Sequence, residues 1–449
     1  MRNPYYAHAL TLPTELLREI LSHLQPNHSK STLYASSLVN SSMYHLSREI
    51  LFREVTVTYG ICSEASTSPL NCATMVSTLI SIHDLAGGGG TALRFFDFLQ
   101  RFPHLRPYVR TLKLEFLEEG RCISPHHHVL SLGPILRLLR KLETLSFSKL
   151  EGTASDVYHH TQFHPRTVTN LLEAFLSLPF NLSHLDTRGF AIFPLCLVLQ
   201  CPAGLKKLSF TRLDMVMPSG VFYQRLRVNS LDIGTCLPDF NSVIDVSVLR
   251  DLWISTLPEF SVTTATMQSI INGCKDTLES LEISTEWFKR GNTDGLPVYH
   301  QQLHEIAACF DIENHTALHR ITLSVTFSLK DVEDPNDTEK QYDGFSALAR
   351  SLRAGLLRAA SITLSVRIQL VGTDPRSSLF HSPEKFVIPT MKMAFILHHF
   401  SVGKRVRLLL QELRHYKTPQ ESLVPLDKFW IPIFTSFEED QLYFIDYVL

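Results

Sequence analysis

No two cysteines of this chain stand in a C-x-x-C pair. The eight, Cys62, Cys72, Cys122, Cys196, Cys201, Cys236, Cys274 and Cys309, are scattered, which excludes a zinc ribbon and a small disulfide scaffold. A chain of 449 residues does not need disulfide staples, so reduced thiols are expected. An excess of one charge is missing as well. Lys+Arg 42 against Asp+Glu 44 gives a formal charge of −2 and no electrostatic reason for nucleic-acid backbone binding as the main activity. The longest apolar run, Ala191 to Leu199, is broken by Pro194 and falls short of the ~20 residues that span a bilayer. Residues Met1 to Ala9 lack the apolar core of a secretory signal. A soluble intracellular protein of cytoplasm or nucleus is expected, with no membrane partner. Gly 19 and Pro 23 are ordinary shares, which excludes collagen-like and broadly disordered chains.

Catalytic and metal signatures are also wanting. No G-x-S-x-G, P-loop or kinase set occurs. The run Gly87-Gly88-Gly89-Gly90 is followed by neither Lys-Ser nor Lys-Thr and reads as a hinge. His126-His127-His128 and His159, His160 and His164 lack the further ligands of known spacing that zinc requires, and His304-Glu305 has Ala308 where a metalloprotease motif needs its second histidine. The clusters read as solvated loops, as does the basic group Lys404, Arg405 and Arg407. No enzyme, cofactor or metal is expected.

What is present begins at Leu12, with LPTELLREILSHL. Pro13 suits a first helical turn, Glu15 and Glu19 favour the helix N-terminus, and Leu16, Leu17, Ile20, Leu21 and Leu24 form one broad apolar stripe. Gln25-Pro26-Asn27 stops the helix. A second short helix is predicted over Leu33–Val39. A third follows Asn40 as N-cap, with Met43, Leu46, Ile50 and Leu51 on its apolar face, and Val55-Thr56-Val57-Thr58 alternates like a strand. Three short helices cannot build a large core of their own, so they need the rest of the chain or another protein.

LPTELLREILSHL followed by LYASSLVNSSMYHLSREILFREVTV resembles the F-box, in its fungal form. The Leu-Pro opening, the Glu-Leu-Leu, the Ile-Leu pair, the Leu38-Val39 step and the Leu51-Phe52-Arg53 exit carry the likeness, over about one-tenth of the chain. The resemblance implies three helices docked on a Skp-family adaptor and, through it, a cullin–RING ubiquitin ligase. Leu12, Pro13, Leu16, Ile20, Leu21, Leu38, Val39 and Met43 would face the adaptor. Met43 stands where the family often has tryptophan or another bulky aromatic. Burying the five aliphatic residues of the first helix gives on the order of 10 kcal/mol gross against about 4–15 kcal/mol for association, so Leu38, Val39 and Met43 must contribute.

From Val109 a pattern recurs: apolar, two residues, apolar, one residue, apolar. Its copies are Val109/Leu112/Leu114, Leu142/Leu145/Phe147, Leu205/Leu208/Phe210, Val228/Leu231/Ile233, Leu249/Leu252/Ile254, Leu278/Leu281/Ile283 and Leu318/Ile321/Leu323, with weaker ones at Leu182/Leu185/Thr187 and Ala359/Ile362/Leu364. The middle residues from Leu185 to Leu281 lie 23, 23, 21 and 29 apart, and the others 33 to 41 apart. Such spacing is the signature of leucine-rich repeats, in degenerate form because the consensus Asn is missing. Each unit gives a short strand and a return segment, helical over Val168–Leu178 and Thr264–Cys274, and stacking buries a continuous ladder. The polar stretch Asp331–Asp343 reads as an inserted loop. The pairing with the first segment also resembles F-box proteins with C-terminal leucine-rich repeats.

Strand parity turns Lys113, Glu115, His184, Asp186, Lys207, Ser209, Asp232, Asp251, Trp253, Ser255, Glu282 and Arg320 outward to a concave face. Lys113, Asp186, Lys207, Asp232, Asp251, Trp253, Glu282 and Arg320 are the candidate substrate contacts, Trp253 foremost because tryptophan is enriched in binding hot spots.

The expected organisation is α/β: a three-helix F-box at 8–58, a linker with local helix at 59–100, a degenerate leucine-rich-repeat solenoid with a parallel sheet and outer helices at 101–370, and an aromatic capping segment at 371–449. The expected function is non-catalytic: a substrate-recognition subunit of an SCF-type ubiquitin ligase, holding an unidentified target protein on the repeat face for ubiquitin transfer by proximity. The alternatives are an adaptor-bound scaffold without a ligase role and an intracellular enzyme on an α/β fold.

Overall fold

The computed structural model describes residues 13–23, 30–39, 41–59, 90–117, 132–150, 171–188, 193–211, 225–234, 243–255, 264–287, 312–328, 335–370, 384–414 and 443–448, with a few isolated positions besides. The chain is α/β, built on parallel strands. It divides into two compact units, residues 1–205 with 214–221, and residues 206–213 with 222–449. That division falls inside the stretch read from sequence as one repeat body.

The first unit opens with helices α1 (Thr14–Ser22), α2 (Lys30–Ser36) and α3 (Ser41–Arg53). Pro13 occupies the N-cap of α1, with φ −51° and ψ 143°. That is one residue earlier than expected, and it spares the helix an N–H that would have no partner. Leu21, Leu33, Leu46, Leu51 and Phe52 are buried, and α1 and α2 both pack on α3.

Strand β1 (Glu54–Tyr59) follows α3 without a break and pairs in parallel with β3 (Thr111–Leu117), Val55 opposite Leu112 and Val57 opposite Leu114. The segment read as an exit strand of the N-terminal helices therefore belongs to the sheet. Phe52, Val55 and Val57, all buried, are a further copy of the recurring pattern. A two-residue strand β2 (Gly90–Thr91) adds to the free edge of β1, so Gly90 lies in a regular element; the rest of the expected linker up to residue 89 falls outside the described residues. Beyond β3 come β4 (Thr144–Leu150) and β5 (His184–Asp186). The return segments include α4 (Ala92–Arg101) and α5 (Leu132–Leu138), which bury Phe95, Phe98 and Leu99, and Leu132, Ile135 and Leu136 at helical spacing. Phe147, Phe175 and Phe193 touch one another and Phe190 adds to Phe193, in edge and tilted contacts at centroid distances of 5.2 to 6.5 Å, favourable aromatic geometries.

The second unit runs β6 (Lys207–Phe210), β7 (Ser230–Ile233), β8 (Asp251–Ser255), β9 (Ser280–Trp287), β10 (Arg320–Ser328), β11 (Ser361–Leu370), β12 (Val406–Arg414) and β13 (Tyr443–Val448), each parallel to the next in chain order. Leu208, Leu231, Leu252, Leu281, Ile321 and Ile362 fall in one register and are buried. The tail thus continues the sheet with two strands where the motif had faded. Among the return helices are α6 (Thr264–Gly273), α7 (Pro335–Ser351), α8 (Arg353–Arg358) and α9 (Glu384–Phe400). The stretch expected as a polar loop through Asp343 is mostly the beginning of α7.

A backbone device repeats at the strand entries. The carbonyl of Arg110 accepts from both Glu143 and Thr144 N–H, that of Glu143 from Ser183 and His184, and in the second unit Lys206, Asn229, Arg250, Glu279 and His319 each do the same for the following copy, at 2.7 to 3.1 Å. The leading apolar residue sits beside each junction, and all nine, Val109 through Ala359, are buried. Buried backbone polar groups must find partners, and here one arrangement recurs at seven junctions.

Candidate functional site

The apolar residues of α1 split into two stripes. Leu17 is half-buried and Leu21 is 3% exposed, facing inward. Pro13, Leu16 and Ile20, at i, i+3 and i+7, share another side and stand out, Leu16 at 47% and Ile20 at 55% exposure. After α2 the chain makes a tight turn, with Leu38 N–H donating to Ala35 O and Val39 N–H to Ser36 O, both at 3.1 Å. Ser37 is buried and its hydroxyl donates to Tyr34 O at 2.7 Å. The pinned turn holds Leu38 at 86% and Val39 at 69% exposure. Large aliphatic side chains lose about 1.5–3 kcal/mol each when left in water rather than buried, so four in one small module are costly.

The other side of the module is occupied. Arg48 lies 5.2 to 5.7 Å from the ring centroids of Tyr34, Tyr44 and Phe52, tying α2 to α3 by cation–π contacts. Burial pushes the Tyr34 hydroxyl's pKa up, against a lowering by Arg48. Phe52 stacks on Phe98 of α4 at 5.9 Å, and His45 Nδ1 meets the Tyr108 hydroxyl at 2.7 Å. Of the eight adaptor-facing candidates, Pro13, Leu16, Ile20, Leu38 and Val39 are exposed and Met43 is half-buried. Leu21 is corrected: it belongs to the internal packing. Leu12 lies outside the described residues.

The strand-face candidates fare unequally. In the first unit Lys113 pairs with Glu54 on the neighbouring strand. Asp186 is held by Arg188, whose Nε and terminal nitrogen donate to its two carboxylate oxygens at 3.0 and 2.9 Å. Burial raises the Asp186 carboxyl, but the hydrogen bonds and charge of Arg188 outweigh it, and the net pKa is lowered. In the second unit Lys207 is half-buried. Asp232, at 2% exposure, and Ser209, at 0%, are buried, so neither is an open contact residue; outward parity on a strand does not guarantee solvent.

Asp251, Trp253, Glu282 and Arg320 are brought together. Register places Asp251 opposite Ser280 and Ser280 opposite Arg320. Arg320 thus reaches over a serine to Asp251 at 3.4 Å. Glu282 accepts from the Ser324 hydroxyl at 2.5 Å and lies 3.7 Å from Arg367, and the same guanidinium sits 5.2 Å from the Trp253 ring centroid. The result is a half-buried aromatic with acids and guanidinium groups gathered near it. Arg367 was missed by the sequence reading, although the parity of Ala359/Ile362/Leu364, carried to the end of its strand, turns it outward.

Cys201 and Cys274 are buried, and desolvation raises both thiols, Cys274 to about 12; neither is a thiolate nucleophile near neutral pH. Among the described residues no group of three or more His, Cys, Asp or Glu is disposed to hold a metal ion, and no helix is long and apolar enough to cross a membrane. The histidine clusters fall outside the described residues. No protein-family model matches the chain, and no curated protein matches it significantly.

Proposed function

We propose that the chain is an F-box protein with a degenerate leucine-rich-repeat body, acting as the substrate-recognition subunit of a cullin–RING ubiquitin ligase. Its N-terminal helices dock on a Skp-family adaptor, and the strand face around Trp253 holds the target. The observation that carries this reading is the outward set Leu16, Ile20, Leu38 and Val39. It coincides with positions at which the F-box resemblance expects adaptor contacts, while α3 secures the module to its own unit through Leu51 and Phe52. The exposed fractions amount to about two and a half aliphatic side chains, on the order of 4–8 kcal/mol gross if covered. That is comparable with the lower part of the ~4–15 kcal/mol cost of association, so polar contacts at the rim and Met43 must supplement it.

The repeat reading is supported by the shared register and by the carbonyl that accepts twice at seven of the junctions. Under this reading the chain performs no chemistry of its own; it raises the effective concentration of a target lysine near a charged ubiquitin-conjugating enzyme. The test is capture of purified Skp-family adaptor by the full-length chain and by the Leu16→Asp/Ile20→Asp variant. Loss of capture, with unchanged circular dichroism and melting, is expected. Undiminished capture would overturn the reading.

A further inference from the structure

The helical side of the second unit carries a surface that neither the N-terminal module nor the strand face uses. The described cations on α7, α8 and α9 are Arg350, Arg353, Arg358 and Lys392, all exposed, in a chain of formal charge −2. Among the described side chains between Tyr342 and Arg407, Asp343 is the only acid. Within this basic region α9 turns apolar residues outward. Ile388 and Phe395, seven residues apart and so on one face, are half exposed or more, and exposed Lys392 lies between them, its ammonium 4.9 Å from the Tyr342 ring centroid.

The end of α9 is strained. Gly403 N–H donates to His398 O at 3.0 Å and Val402 N–H to His399 O at 3.2 Å, the paired bonds of a Schellman ending, which asks for a left-handed residue at position 402. Val402 has φ 56° and Gly403 has φ 83°. A glycine suits such a backbone; a β-branched side chain does not. Internal packing gives little in return, since Val402 is 69% exposed. It forms instead part of the wall of a cavity of about 440 Å³ with Arg353, His398, His399, Phe400 and Gly403. The His398 ring is fixed there by a bond from Nδ1–H to Lys404 O at 3.0 Å, while exposed Arg353 is uncommitted among the described residues.

We infer that this face binds an acidic amphipathic segment of a partner protein, its apolar side chains against Ile388, Phe395 and Val402 and a carboxylate in the cavity against Arg353 and His399. Complementarity to exposed Arg350, Arg353 and Lys392 selects an acidic occupant. The cavity, sized for discrete groups, favours a peptide over a lipid surface, which would meet a flat apolar face.

A phage-displayed library of peptides about four helical turns long is panned on the full-length chain and counter-selected on the Phe395→Glu/Arg353→Glu variant. Survivors rich in Asp and Glu, with apolar residues three and four apart, are expected. A synthetic survivor should bind Val402→Gly about fivefold more weakly, although that variant melts at a higher temperature because glycine relieves the backbone. Survivors without acidic enrichment, or equal binding to the Val402→Gly chain, would overturn the inference. So would sedimentation of the chain with phosphatidylserine-rich vesicles in place of any peptide selection.

Discussion

Leucine-to-alanine changes at Leu38 and Leu21 should separate binding from folding, because the two residues lie in the same small module at opposite extremes of exposure. Leu38 is 86% exposed and Leu21 3%. Truncating Leu38 removes little from the folded chain, so its melting temperature should stay within about 1 °C of wild type. If an adaptor covers it, about 1.5 kcal/mol of burial is lost, roughly tenfold in Kd. Leu16, about half exposed, should lose about half that free energy, near threefold to fourfold in Kd. Leu21→Ala instead opens a hole beneath α1 and should cost about 2–5 kcal/mol of stability. Titration calorimetry with the adaptor, paired with thermal melts, reads both quantities. The reasoning is refuted if Leu38→Ala destabilises as much as Leu21→Ala, or if the exposed-residue variants bind with unchanged Kd.

Lys404 was expected on a solvated face, yet its ammonium donates to Leu357 O and Ala359 O at 2.6 and 2.7 Å, completing the end of α8. Lys404→Met should therefore cost about 1–3 kcal/mol by chemical denaturation, whereas a solvated lysine would cost nothing. A Cβ at Gly234 would lie 2.7 Å from Thr211 O and 2.9 Å from Thr211 Cα, backbone atoms that cannot swing aside, so Gly234→Ala should lose about 1–3 kcal/mol. The lowered Asp186 carboxyl makes a signed prediction. Its pairing with Arg188 contributes fully above the carboxyl's unfolded value and is lost as pH falls through the folded one, so Asp186→Asn should flatten the acid limb of stability against pH. Replacing Arg367 by alanine removes the group that joins Glu282 to Trp253 and should weaken target binding while leaving adaptor capture intact, read in parallel pull-downs.

The strands were legible because their signal is local. An apolar residue, two spacers and an alternating pair specify one buried edge whatever surrounds them, and all nine leading residues of the pattern are buried. Where the pattern was missed, one position had been given to another duty. In Phe52/Val55/Val57 the leading residue belongs to α3, so this copy reads as the end of a helical module. Gly403/Val406/Leu408 has glycine in the leading place, where the backbone turns left-handed. Asp331–Asp343 looked like a loop because its residues are polar, but α7 needs an apolar face only further along, at Phe345, Leu348 and Ala349.

By itself the amino-acid order determined the parallel α/β character, the alternation of each strand and the apolar surplus of the first helix, since these follow from spacing along one segment. Tertiary structure alone decided how that surplus is divided. Leu21 turns inward and Leu16 and Ile20 outward because α1 packs on α3 through only part of its apolar face. It also decided which outward strand residues meet solvent. Asp232 is enclosed and Trp253 is drawn into a set with Glu282 and Arg367, because neighbours across a sheet are fixed by register rather than by distance along the chain.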